Sequence, residues 1–388
     1  MNTKLLVALF YIISNFIVFT YVDFHQNYGI AVNFKEVDIN TNLPLDFLLG
    51  VILPFVFLFP IHNLLCKIKI PIRLESANYA IDYIYILCLA INIVTLMSGI
   101  GIAGTTTKEF GFLQSIIPLI PCTMIYFAFT FNNIKRHQIL LLITGTCLTL
   151  LKGWTSNLAI LVILFILMRN KNGRIPLRKL PFLILLFAIF VTVYYYLYGL
   201  KYLIRIGEFQ LIPVDEYLYY VFARVSHFPL YSYLNSIAEQ FSIIINDNYS
   251  SLFYVQEYIF GFIPKSLFGF SEFRFLDNLY TIYFINPLLD SSGFSITFAG
   301  LVRLSAGMND LYLSTIIFLL FSLLLFFYQI LLLRLMGCNG YKSLTFLTMI
   351  LLIQTGNLKE VALYNYTLTV IFLLTLIFKR FLKIKKNS

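Results

Sequence analysis

The chain carries little charge. Of its 388 residues only 12% are Asp, Glu, Lys or Arg, about half the usual share of a soluble globular domain. So few charges cannot clothe a water-facing surface of this size, and an ordinary soluble or disordered protein is excluded. Histidine is scarce. His25, His62, His137 and His227 are scattered and no HExxH occurs, which argues against a zinc hydrolase. Cys66, Cys88, Cys122, Cys147 and Cys338 form no CxxC pair, so neither a disulfide framework nor a zinc site is expected. There is no GxxxxGK[ST] loop and no GxSxG elbow, which removes the signatures of ATP hydrolysis and of a serine-hydrolase nucleophile. No internal repeat stands out, and the one biased tract, Lys379–Lys386, reads as a basic cytoplasmic anchor.

What the chain has in abundance is apolar surface: 60% hydrophobic residues and a mean hydropathy of +0.84. That is the composition of an all-α polytopic integral membrane protein, whose spans must satisfy their own backbone hydrogen bonds. Ten runs qualify: Leu5–Tyr21, Leu45–Leu65, Ala77–Ser98, Phe112–Phe131, Gln138–Leu151, Asn157–Met168, Leu180–Leu200, Leu311–Leu333, Ser343–Gly356 and Val361–Phe378. No small-residue cleavage site follows the first, so it reads as a span and not a removable leader. With the amino terminus placed in the cytoplasm, 18 of the 28 basic residues fall on the inner side, beside only two acidic ones, Glu75 and Asp82. The outer side keeps 10 basic and 16 acidic residues. This is a strong positive-inside pattern with both termini cytoplasmic. It also accounts for the net charge of +10 without nucleic acid.

Organisation follows from the loops. Residues 1–200 hold seven spans, 201–310 one long outer segment, and 311–388 three spans and the basic tail. The long segment contains 25 Phe and Tyr among 110 residues. At that density it is expected to form helices lying in the membrane interface, apolar faces in lipid and hydroxyls wet. Pro229 is expected to break the stretch Tyr217–Ile237, and Pro118 and Pro121 to kink the fourth span.

Candidate chemistry lies on the outer face. Arg224 and His227 are three apart and share a helical face. The arginine can fork onto a phosphate and the histidine can take a proton near neutral pH; lipid pairing and simple packing are the bland alternatives. Lys265 follows Pro264 among aromatics, aimed at an anion or snorkelling to headgroups. Arg274 lies near Glu272 and Asp277, where a local salt bridge competes with a role in binding. Arg303 sits in apolar sequence between Gly300 and Gly307, where an unpaired guanidinium is costly unless it meets water or an anion. Lys152 opens the turn KGWTS between runs of 14 and 12 residues. A 14-residue helix spans only about 21 Å of a roughly 30 Å hydrocarbon core. The turn is therefore either sunk in a depression with a buried lysine or lifted into water on a longer tilted helix, with Trp154 as an interface anchor. Lys359 and Glu360, in the last outer turn, are expected to be solvated.

Three stretches carry a resemblance. LTLLKGWTSNLAILVILFILM, FIPKSLFGF and DSSGFSITFAGLVRLSAGMNDLYLSTIIFLLFSLLL, together with the topology, resemble the O-antigen and oligosaccharide repeat-unit polymerase (Wzy) family: a tight outer turn with a basic residue, a Pro-basic element in the large loop, and a Gly-punctuated approach to the next span. An Arg followed after ten residues by Gly, seen in some members, is absent. Arg205, Arg224, Arg274 and Arg303 meet Glu216, Asn235, Ile285 and Ser314 at that spacing, so those arginines do not carry over. The resemblance implies a GT-C-like glycosyltransferase of the bacterial inner membrane with a large periplasmic loop. It would join undecaprenyl-pyrophosphate-linked oligosaccharides without metal or cofactor, alongside membrane lipid, a flippase and a chain-length regulator. On that footing Arg224, Arg303, Lys152, Lys265 and Arg274 would hold the pyrophosphate, with Arg224 and Arg303 stabilising its developing charge. His227 would be the base. A polysaccharide flippase, an O-antigen ligase and an acyltransferase using Asp82 and His137 are the rival readings.

Overall fold

The computed structural model describes residues 3–25, 42–68, 77–102, 111–169, 180–215, 217–218, 228–248, 252–263, 274–285, 296–307 and 311–386. These form helices joined by turns, with no strand among them. Each apolar run of the sequence is helical: α1 Thr3–His25, α2 Leu43–Leu65, α3 Ala77–Met97, α4 Gly111–Ile116, α5 Leu119–Thr130, α6 Arg136–Leu151, α7 Ser156–Arg169 and α8 Leu180–Ile206. After α9 Phe228–Ser236, α10 Ala238–Asn248, α11 Phe253–Phe262, α12 Leu276–Tyr280 and α13 Phe298–Ala306 come the last long helices, α14 Leu311–Leu335, α15 Tyr341–Thr355 and α16 Leu358–Lys386. Four segments, Leu43–Leu65, Ala80–Met97, Leu313–Leu335 and Leu358–Phe378, are long and apolar enough to cross a membrane. Leu140, Leu324 and Val56, about 60% exposed, face outward, as lipid allows and water penalises.

Local chemistry sets the breaks. Asn42 accepts from the Leu45 amide at 3.4 Å, with Pro44 in the first turn of α2. A π turn then runs over Leu48–Ile52, and Gly50 within it leaves the space that the Tyr231 ring of α9 fills. Pro118 ends α4 and caps α5 in extended conformation, so the fourth apolar run is broken and not merely kinked. Pro229 lies in the first turn of α9, where its missing N–H costs nothing.

One core joins α3, α5, α6, α7 and α14–α16, with Tyr85 and Tyr126 stacked at 4.1 Å. A second joins α9–α13 to α14–α16. Several rings of the long segment are buried against neighbouring helices: Phe241, Phe253, Tyr254 and Tyr280 have no exposed surface and pack with Phe318, Met349 and Leu358, while Phe209 and Tyr283 are exposed. Rings of this size gain most from full burial, and the long apolar helices beside them supply the partner surface.

Candidate functional site

Arg303 is placed by the way α13 begins. Thr297 caps the helix by accepting from the Gly300 amide at 3.0 Å. The Ile296 and Thr297 amides both donate to the Thr355 carbonyl, at 2.8 and 3.2 Å. Holding these bonds puts Thr297 at φ 65° and ψ 151°, a positive-φ conformation that a β-branched residue adopts only under constraint. α13 is thereby fixed against the α15–α16 turn, turns Leu301 and Leu304 into the core and carries Arg303 to α9. The Arg303 Nε–H donates to Asn235 Oδ1 at 2.9 Å, and Asn235 Nδ2 donates to Asp46 Oδ1 at 3.2 Å. Asp46 is buried at 2% exposure. The amide thus has both ends engaged, and the side-on edge of the guanidinium is held. No other hydrogen bond or ion pair of Arg303 occurs among the described residues, so its terminal nitrogens stay open as a fork for an anion. Tyr231 lies beside both charges. Burial, reinforced by Asp46 and opposed by Arg303, pushes its phenol up to about 12.

Lys152 forms a second centre. α6 ends in a turn through Gly153 at φ 77°, and Lys152 folds back against α3 with 1% exposure. Its ammonium donates to Asn92 Oδ1 at 2.8 Å and Thr95 Oγ1 at 3.0 Å. Asn92 Nδ2 donates to the Cys88 carbonyl, and the Thr95 hydroxyl to the Asn92 carbonyl, which turns both oxygens toward the amine. No carboxylate pairs with it among the described residues. Burial draws the amine down to about 8. Trp154 beside it is exposed and donates through Nε1 to the Gly101 carbonyl at 3.1 Å. Of the two sequence readings of this turn, the lysine is buried and the tryptophan alone reaches out.

A third polar centre was not legible as such. Asp277, 5% exposed in its side chain, pairs with Lys359 at 3.1 Å and accepts from Asn357 at 3.2 Å; Lys359 also lies 4.8 Å over the Phe275 ring. Lys359 is therefore a structural ion-pair partner and not a solvated turn residue. Arg274 stands exposed just before α12. Arg224, His227 and Lys265 lie outside the described residues. Lys152 and Arg303 share no partner: one is seated on α3, the other on α9 and, through Asn235, on α2.

Comparison with protein-family models, curated proteins and solved structures returns no match to this chain.

The chemistry of the site therefore stands on its residues alone. Arg303 and Lys152 are cations whose direct hydrogen-bond partners are neutral, and each retains hydrogens to give. Such groups attract an anion more strongly than salt-bridged ones, because no carboxylate competes. No group of His, Cys, Asp and Glu suited to a metal ion occurs among the described residues. Sequence reasoning named Arg303 and Lys152 but missed Asp46, Asn235, Asn92 and Thr95. A polar residue inside an apolar run was the available signal for Asp46 and Asn92. Asp82 and His137, the weak inward-facing candidates, meet at 3.3 Å, but Asp82 also accepts from Tyr126 and Gln138. That arrangement clamps α3 to α5 and α6.

Proposed function

We propose that the chain is a ten-span protein of a bacterial inner membrane, both termini cytoplasmic, that polymerises lipid-linked oligosaccharide repeat units on the periplasmic side. The reading is supported above all by Arg303, an arginine anchored through one edge by Asn235 and Asp46 with its fork left open. The charge asymmetry of the loops supports reading that end of the bundle as the outer one. In the proposed reaction the hydroxyl of one lipid-linked unit attacks the anomeric carbon of the growing chain. The new glycosidic C–O bond forms as the bond to undecaprenyl pyrophosphate breaks, and the hydroxyl proton passes to a base, His227. The departing diphosphate gathers negative charge, which fixed cationic donors in a poorly hydrated site stabilise. Arg303 and Lys152 fill that role, with Arg224, Lys265 and Arg274 from the same outer segment as further candidates. No nucleotide sugar and no metal enter.

Deletion of the gene followed by gel analysis of surface polysaccharide tests the reading. Loss of the ladder, leaving at most single repeat units, is expected; an unaltered ladder overturns it. Arg303→Ala at normal protein level is expected to abolish the ladder too. Accumulation of lipid-linked units on the cytoplasmic leaflet would mark a flippase instead.

A further inference from the structure

Beside Arg303 stands one polar group that the proposed reaction leaves unused. Tyr231 and Asn235 are one turn apart on α9 and share a face. Asp46 and Gly50 are one turn apart on α2 and lie opposite them. Asn235 donates to Asp46 at 3.2 Å, and the Tyr231 ring fills the space over Gly50. A Cβ at Gly50 would stand 2.6 Å from that ring, so this glycine decides where the ring can lie. The hydroxyl it carries is the unusual atom. Tyr231 is 4% exposed, yet its hydroxyl makes no hydrogen bond among the described residues. Nor is it sealed off. The neighbouring Ser232 hydroxyl is enclosed without a partner, whereas the Tyr231 oxygen keeps accessible surface. A hydroxyl on so buried a side chain usually has a partner, because leaving it bare forfeits hydration. Burial holds this phenol at about 12, so at neutral pH it keeps the proton it can donate.

Its neighbours decide which acceptor fits. Asp46 and Arg303 both lie within electrostatic reach of the phenol. Asp46 is buried behind the Asn235 amide, while Arg303 is partly exposed with its fork open. An anion on that fork meets the guanidinium in direct contact and the carboxylate only across Asn235, so attraction outweighs repulsion. A neutral phenol beside the fork adds a donor without adding charge. Leu45 and Leu48, close to Asp46 along α2, are each 48% exposed. Apolar surface this near the polar pair suits the hydrocarbon chain of a lipid whose head carries the anion.

We infer that Tyr231 is a ligand-contacting residue whose hydroxyl donates to the same diphosphate as the Arg303 fork. The inference rests on the reading of Arg303 as the holder of a lipid-linked diphosphate. Thermal unfolding of the full-length protein in neutral detergent tests it, with farnesyl diphosphate, farnesol or inorganic pyrophosphate titrated in. Farnesyl diphosphate is expected to raise the midpoint and farnesol not. Tyr231→Phe keeps the ring over Gly50 and removes only the hydroxyl. Without ligand it is expected to melt with the wild type, since no bond inside the protein is lost. It is expected to need about tenfold more farnesyl diphosphate for the same rise, as loss of one hydrogen bond to a charged group implies. Tyr233→Phe, which alters a tyrosine packed beside Tyr280 on another face of α9, is expected to respond like the wild type. A rise produced equally by inorganic pyrophosphate supports the contact with the free ion as ligand. If Arg303→Gln loses the rise while Tyr231→Phe keeps it in full, the arginine site stands and this inference falls. No rise of the wild type with either diphosphate overturns both. An equal rise with farnesol, equal weakening by Tyr233→Phe, or a lower ligand-free midpoint for Tyr231→Phe also overturns the inference.

Discussion

Gly356→Ala is the most exacting test of how the Arg303 helix is held. Gly356 closes α15 at φ 58°. An alanine there incurs the left-handed penalty of about 1–2 kcal/mol. Its Cβ would also run into the backbone of Thr297, at N, C and O together. That backbone cannot easily yield, because Ile296 and Thr297 are both bonded to the Thr355 carbonyl. Overpacking against such a wall adds about 1–3 kcal/mol, for a total of about 2–5 kcal/mol. At roughly 2–4 °C per kcal/mol in a large domain the unfolding midpoint should fall by about 4–20 °C. Gly337→Ala is the internal control. Its φ is 74° but open space surrounds the position, so it should show the backbone penalty alone. Heating the purified full-length protein in steps, with size-exclusion analysis of what survives, gives both midpoints. If Gly356→Ala costs no more than Gly337→Ala, the contact between the α15–α16 turn and the start of α13 is not as described.

Other expectations follow from the polar centres. In a double-mutant cycle, Asn235→Ala and Arg303→Ala should couple by about 1–3 kcal/mol in thermal unfolding, because they share one hydrogen bond; additivity within error would remove the anchor. Lys359→Ala should cost about 3–5 kcal/mol by leaving Asp277 buried without its cation, and the pair Lys359→Met with Asp277→Leu should recover most of it. For Lys152 the folded amine titrates near 8 and the unfolded one near 10.5. The unfolded chain therefore binds more protons between those values, and Lys152 makes the protein more stable as pH rises through that window. Subtracting the same profile for Lys152→Met should isolate this rise, and a flat difference would contradict the burial. The proposed polymerisation, in which Lys152 acts as a charged amine, should fall above about pH 8 in the wild type and persist to higher pH in Lys152→Arg.

Helix positions were legible because apolar runs of this length admit one conformation in lipid, and the structure places a helix on every run. Tertiary pairing was not. Asp46 and Asn235 are 189 residues apart and no local pattern joins them. Which rings of the aromatic segment meet a neighbouring helix was not legible for a physical reason: a ring-rich amphipathic helix has the same pattern whether its apolar face meets lipid or a neighbouring helix. Lys359 looked solvated because a turn between two apolar runs usually is, and its partner Asp277 lies 82 residues earlier. Arg303 and Lys152 were found for the opposite reason. A lone charge flanked by apolar sequence must be compensated by something, whatever the fold, and each is met by neutral oxygens.

The chain has one tryptophan, and its indole bridges the turn after α3 to the turn after α6. Excited at the red edge, where the 27 tyrosines do not absorb, unlabelled protein thus emits from a single indole at the seam beside the buried amine. A shift in its emission on adding a candidate ligand would report a rearrangement at that seam directly, with no dye and no engineered probe.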